Sequence, residues 1–369
     1  MAFSLDEAVR SARAKTGVPG VAAALAVGGD VELAADGVLA LGSRDTVLVG
    51  TPFRIASISK SFTAALAHET IGLDDEVRRL LSHTAGLRCE SLQPLPAGAE
   101  GLWSYSNAGY WRVGERVAEE AQLPFAEAMR THVLEPHGLG ATTFDEPERV
   151  ARGHVQEGKT GHRPVLVDSY ALERRPSGGL WSTVADLVVY GRAHLAGYER
   201  LHEPVVDALG GRYALGWWVR ELADGTTALE HEGSVAGYQT LLLLVPEREL
   251  VLAVLTNSWR GSGLVRRVVE QLGLVPPRDP HAAVDLPAAG SYAIDDVEAH
   301  VTARATSLGI EIVEPDPVTG ARIATKVVAE PVGGGVFGYS HAVLMSHRVD
   351  FPRDGFARIG WLVMPRVAP

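Results

Sequence analysis

Ser57 and Lys60 stand three residues apart in the segment Phe53-Arg54-Ile55-Ala56-Ser57-Ile58-Ser59-Lys60-Ser61-Phe62. On a helix that spacing puts both side chains on one face. A serine hydroxyl attacks a carbonyl only when a base takes its proton. A lysine withdrawn from water loses proton affinity and can serve as that base. A helix start at Ser57 would also set its oxygen near the positive end of the helix dipole. The chain holds four lysines, at 15, 60, 159 and 326, and 20 serines, so chance supplies the tetrad only about 0.2 times at background composition. The bland alternative is a helix cap followed by a solvated lysine, and the tetrad by itself fits both readings.

Tyr105 and Asn107 lie two apart on a loop before a helical pattern. A phenol near Lys60 can relay a proton to a leaving group. The Asn107 amide can hold Lys60 or a substrate amide. The alternative is an aromatic anchor followed by the N-cap of helix 108–121, a place that suits asparagine. At His231-Glu232-Gly233-Ser234 a strand ends. The Ser234 N–H can pair with that of Ser57 as an oxyanion hole. Glu232 reads as a solvated strand charge, and His83 as a structural turn residue.

Taken in order, these segments resemble the serine β-lactamase/penicillin-binding-protein-like hydrolases, in particular the class C β-lactamase-like group of esterases, D-aminopeptidases and transesterases. The resemblance is carried by Phe53–Phe62, by Leu80-Leu81-Ser82-His83-Thr84-Ala85-Gly86-Leu87, by Trp103-Ser104-Tyr105-Ser106-Asn107-Ala108-Gly109-Tyr110, by Pro176-Ser177-Gly178-Gly179-Leu180-Trp181-Ser182-Thr183 and by His231-Glu232-Gly233. It covers about residues 18–272. It implies Ser57 as nucleophile, Lys60 and Tyr105 in proton transfer, and His231 in the place where related enzymes carry a lysine. There His231 is expected to hydrogen-bond Tyr105 or the acyl group, and Gly233 to let substrate pass close to the backbone.

Lys159-Thr160-Gly161 spells the third motif of many penicillin-binding proteins, but Gly158, Gly161 and Pro164 around it predict a hairpin turn rather than a site strand. The same stretch completes a P-loop spelling, Gly153-x-x-x-x-Gly158-Lys159-Thr160. No helix can start there, which sets nucleotide binding aside. Gly333-Gly334-Gly335-Val336-Phe337-Gly338 opens no helix either.

The elements that must position these residues follow from periodicity. An amphipathic helix is expected over residues 1–17, a hairpin over Val18–Val27 and Asp30–Ala40, and a helical run from Ser57 to Leu87 broken near Gly72. Further helices are expected at Ala108–Ala121, Pro124–Leu134, Thr183–Leu195 and Gly263–Leu272. Strands are expected at Tyr213–Glu221, Thr226–His231, Tyr238–Val245 and Glu249–Thr256. Strands at both ends with helices between them predict an α/β (α+β) domain over 1–275, with an antiparallel sheet flanked by helices and an inserted helical region. Pro276–Pro280 reads as a linker. Residues 276–369 read as a small β-rich domain, lipocalin-like in kind, whose expected role is to close or shape the cleft.

Two departures from the family pattern stand out. Leu73–Val77 runs almost directly into Arg78-Arg79-Leu80, and the stretch from Leu87 to Trp103 is short. Both would flank the cleft, so either an unusually open site or loops missing from the sequence is implied.

The net charge of −11 with dispersed Lys and Arg disfavours nucleic acid and anionic membrane surfaces as partners. The single cysteine, Cys89, excludes an internal disulfide and reads as a small hydrophobe. Lacking a basic-then-apolar start, the chain as given is expected in the cytoplasm. No cofactor or metal is called for. The expected activity is hydrolysis of an ester, amide or peptide through an acyl-Ser57 intermediate. Transfer of the acyl group to an amine or alcohol, as in the peptide-cyclising enzymes of this type, stays open. So does a sensor that acylates once without turnover.

Overall fold

The computed structural model describes residues 4–157, 161–165, 170–277, 289–315, 320–339 and 345–367. An eight-stranded antiparallel sheet runs in the order Asp30–Gly37, Gly20–Val27, Leu250–Thr256, Tyr238–Val245, Thr227–Val235, Trp218–Glu221, Gly211–Tyr213, Val206–Ala208. Its central strands are buried on both faces, which is why they read as unbroken apolar runs. Alternation splits them between two cores. Ala22, Ala24, Leu242, Leu244, Val251 and Ala253 face the inserted helical region. Val21, Ala23, Leu241, Leu243, Leu252 and Val254 face the helices Leu5–Thr16 and Gly261–Gln271.

Leu5–Thr16 starts at a reciprocal Ser4/Glu7 capping box, stops at Gly17 in the left-handed conformation, and buries Leu5, Ala8, Val9 and Ala12. The helical region between the sheet's halves carries Ser59–Thr70, Asp75–Leu81, Asn107–Ala121 and Val184–Gly197. The last is capped by Thr183.

Three expectations need correction. The helical run does not reach Leu87: it ends at Leu81, and His83 at φ +59° turns the chain away. The expected strand Tyr213–Glu221 is two strands, because Gly216 at φ +81° folds the chain between them. The strand carrying His231 does not end there but continues to Val235, paired with Tyr238–Val245. The antiparallel pair His154–Glu157 and Gly161–Pro164 forms a hairpin. Lys159 and Thr160 between its arms, and 278–280 of the expected linker, lie outside the described residues.

Residues Gly290–Val367 form a closed eight-stranded antiparallel barrel, sealed where Ser291 and Tyr292 pair with Val367 and Arg366. Its interior is packed with apolar side chains, among them Tyr292, Ile310, Phe337, Val349 and Met364. The barrel sits on the stretch that looked too short. Leu95 packs against the barrel core, and Phe356 and Val363 pack around Ala99. Arg358 donates to the Trp103 carbonyl at 3.3 Å, Arg348 to that of Leu209 at 3.0 Å, and Arg353 to that of Glu100 at 3.3 Å. Along Leu87–Trp103 the barrel therefore covers the flank that the short stretch was expected to leave open. Among the described residues no helix is long and apolar enough to cross a membrane.

Candidate active site

Ser57 lies in a short 3-10 turn, Ala56–Ile58, that leads into the helix Ser59–Thr70. Ala56 holds φ +47°, a left-handed conformation that costs an alanine about 1–2 kcal/mol. The preceding residue, Ile55, is pinned through both of its backbone polar groups. Ile55 donates to the Leu180 carbonyl at 2.9 Å, and Thr240 donates to the Ile55 carbonyl at 3.1 Å. Gly233 belongs to this clamp. A Cβ there would lie 2.2 Å from the Ile55 oxygen. The close approach that Gly233 permits is thus to the nucleophile turn, where substrate backbone was expected.

One helical turn on, Lys60 is fully buried, which removes the solvated-lysine reading. Its Nζ lies 3.2 Å from Ser57 Oγ, 2.7 Å from Asn107 Oδ1 and 2.6 Å from the Ser177 carbonyl oxygen. The faces of Tyr105 and Tyr110 lie 4.7 and 5.3 Å away. Burial pulls the ammonium down to about 7, although Cys89 and Glu90 nearby act to raise it.

Burial holds the Tyr105 pKa well above the phenol's ordinary value, although the nearby Ser57 hydroxyl acts to lower it. The Tyr105 phenol is thus held in its neutral form. Asn107 is not the helix cap. Ser106 takes that place, accepting from Gly109 N–H at 3.0 Å. Asn107, inside the first turn, is freed to face Lys60 with Oδ1 and Glu90 with Nδ2.

His231 does not bond Tyr105. Its Nδ1 donates to the Glu232 carbonyl at 2.7 Å, so its Nε2 accepts from the Tyr213 hydroxyl at 3.2 Å. Burial, with the charge of Lys60, pulls it down to about 3, so the ring is neutral with both nitrogens engaged. Ser234 lines the same cavity as Ser57. Glu232 is no solvated charge: it accepts from the Ser346 N–H at 3.1 Å and so ties the strand to the barrel.

Three contributors were not legible in the motifs. His83 accepts the Ser106 N–H at 3.0 Å and lies 4.3 Å from the Tyr105 ring, so the expected turn residue also steadies the Tyr105 loop. Glu90 holds Asn107. Trp361, between strands Phe356–Ile359 and Leu362–Val367, accepts the Tyr105 N–H at its carbonyl at 3.0 Å, with the two rings 5.8 Å apart. A cavity of about 370 Å³ opens above Ser57, walled on one side by Tyr105, Trp218 and His231 and on the other by Glu314, Ser346 and Trp361. Cys89 also lines it, but burial pushes its thiol up to about 12, so it is not a thiolate. Among the described residues no group of acidic, His or Cys side chains could hold a metal ion.

The β-lactamase family model matches residues 5–72 and 74–273. The chain belongs to the β-lactamase family. Penicillin-binding protein 4 of Amycolatopsis lactamdurans is 27% identical over 74% of this chain and 93% of its own. Among solved structures, SurE superposes with a TM-score of 0.72 at 23% identity over 98% of both chains, so the likeness of fold includes the barrel. The D-amino acid amidase of Ochrobactrum anthropi superposes at 0.60 with 22% identity over 73% of this chain and 98% of its own. In this β-lactamase-family chain the fold is that of the serine β-lactamases and penicillin-binding proteins, with a closed barrel added, and serine hydrolase chemistry is the general activity it supports.

Proposed function

We propose that this protein is an acyl-serine enzyme that opens an ester, amide or peptide carbonyl with Ser57. One observation carries the reading: the hydrogen-bond count around Lys60. A neutral amine has two N–H groups and one lone pair. The Asn107 and Ser177 carbonyl oxygens accept both N–H groups. The lone pair is left for the Ser57 hydroxyl at 3.2 Å. Lys60 takes the Ser57 proton as Oγ bonds to the substrate carbonyl carbon. Tyr105 passes a proton to the leaving group as that bond breaks. The Ser57 and Ser234 N–H groups meet the oxyanion. His231 acts as a fixed neutral wall.

The substrate reading follows the relatives' names. The amidase is named for D-amino acid amides, and SurE has been solved with D-Leu. A D-configured acyl donor is the class to try first here. Acyl transfer to an amine is a second reading. Glu90, Glu232 and Glu314 line the cavity, and among the described residues no lysine or arginine does, which favours an approaching cation.

The test is intact-mass spectrometry after a phosphonate or β-lactam probe. We expect one adduct on Ser57. Labelling that survives in Ser57→Ala would overturn the proposal. Turnover of p-nitrophenyl esters, nitrocefin and D-amino acid amides, each with and without an added amine, separates hydrolysis from transfer. A burst with no steady turnover would identify a sensor instead.

A further inference from the structure

We infer that Glu90 is a positioning residue: it fixes which end of the Asn107 amide faces Lys60, and so keeps the amine's lone pair on Ser57. The inference rests on the function proposed above. Of the two carbonyls that take up the Lys60 N–H groups, that of Ser177 is backbone and has no other orientation. Asn107 is different, because a side-chain amide turned by half a circle has nearly the same shape but presents N–H where it had C=O. Turned that way, Asn107 would donate to the Lys60 lone pair and occupy the site that must take the Ser57 proton.

The carboxylate of Glu90 opposes that state. Asn107 Nδ2 donates to Glu90 Oε1, with Cys89 Sγ a further 3.8 Å contact. An ionised carboxylate accepts only, so it repels Oδ1 in the turned amide and bonds Nδ2 in the observed one. Glu90 is steadied in turn. Arg174 lies 3.8 Å from it and rests on the Trp111 ring, and Trp111 Nε1 donates to Ser177 Oγ at 2.9 Å. One chain of contacts therefore ends on both residues whose carbonyls hold Lys60.

The groups facing Lys60 are few. His83 and His231 are held neutral by burial, Cys89 remains a thiol, and Tyr105 and Tyr110 present ring faces. Among these neighbours Glu90 is the one formal charge, and it acts to raise the Lys60 pKa.

Glu90→Gln tests this. Glutamine can accept Nδ2 or donate to a turned Oδ1, so the discrimination is lost while size is kept. The limiting kcat/KM for Ser57 acylation should fall about tenfold, the worth of one charge-assisted hydrogen bond. Losing the negative charge should also move the acid limb of the profile to lower pH, by a fraction of a unit because Glu90 is half exposed. A role in stability alone would lower Tm and leave that limb in place. In an Asn107→Asp background neither end of the side chain donates, and Glu90→Gln should cost less than about twofold. The inference is overturned if Glu90→Gln keeps its limiting rate and acid limb, or if it costs the same tenfold beside Asn107→Asp. Labelling of the parent enzyme at Ser57, run alongside, distinguishes failure of the acyl-serine reading from failure of this one.

Discussion

The two walls of the cleft are built on opposite terms. On the sheet side Lys60, His231 and Tyr105 are buried, and their polar atoms are met by neighbouring carbonyls and hydroxyls. On the barrel side Trp361 and Glu314 stand exposed, on a unit attached through Arg348, Arg353 and Arg358. A buried amine has its basicity set by its surroundings, so the sheet side suits the chemical steps. An exposed indole over the cavity meets the substrate but no reacting proton, so the barrel side suits selection. If that division holds, changes on the first wall act on kcat and changes on the second act on KM.

The largest effect should come from Lys60→Met, which keeps the volume and removes the base. We expect kcat/KM to fall by about 10²–10⁴; a variant still acylating at a tenth of the parent rate would take Lys60 out of the chemistry. The pH profile comes next. Lys60 acts when neutral, and its pKa is lowered to about 7, so kcat/KM should rise with pH through that value. It should drop about tenfold per unit below it, reaching about a hundredfold at pH 5. Because burial raises Tyr105, the alkaline side should stay flat to about pH 10. A limb near 5, or none, would point to a carboxylate as base.

Trp361→Ala should raise KM about tenfold, by removing apolar contact area of roughly 1–2 kcal/mol, with kcat within about threefold. A fall confined to kcat would mean that the barrel acts on the chemistry through Tyr105, and the two walls would have to be treated as one. The smallest effect should be that of Glu232→Gln, which weakens the tie to Ser346. A change of about threefold in KM is expected, read by comparing a cationic with a neutral substrate. Equal effects on both would show that Glu232 holds the barrel and does not sense charge.

The division between the walls also separates what could be read from the chain. Ser57, Lys60, Tyr105 and Asn107 sit in short local patterns, and local spacing is what a helix or loop turns into geometry. Even there, spacing did not decide whether Lys60 was solvated or whether Asn107 was a cap. Burial settled the first and the Ser106 cap the second. Gly233 packs against the Ile55 carbonyl, and nothing local in the sequence shows that this carbonyl crosses it. Of the two partners expected for His231, Tyr105 or the acyl group, the first is replaced by Tyr213. Trp361 was out of reach, being a lone aromatic in a hairpin about 300 residues from Ser57. The central strands of the sheet, Gly20–Val27, Tyr238–Val245 and Leu250–Thr256, were legible because both of their faces are apolar. The alternating segments of the barrel make it legible as a small β-rich domain of lipocalin-like kind, while its closure rests on pairing between its first and last strands.

The hydrogen bond from Tyr105 N–H to the Trp361 carbonyl has a consequence in time. A ribosome releases Ser57, Lys60 and Tyr105 long before it reaches Trp361, and domains tend to fold as they emerge. The growing chain can therefore form its sheet and bury its lysine while the far wall, and the last tether on the tyrosine loop, do not yet exist. Such a nascent chain carries an armed serine without a gate, and it comes under selection for substrate only when its final hairpin closes over the cleft.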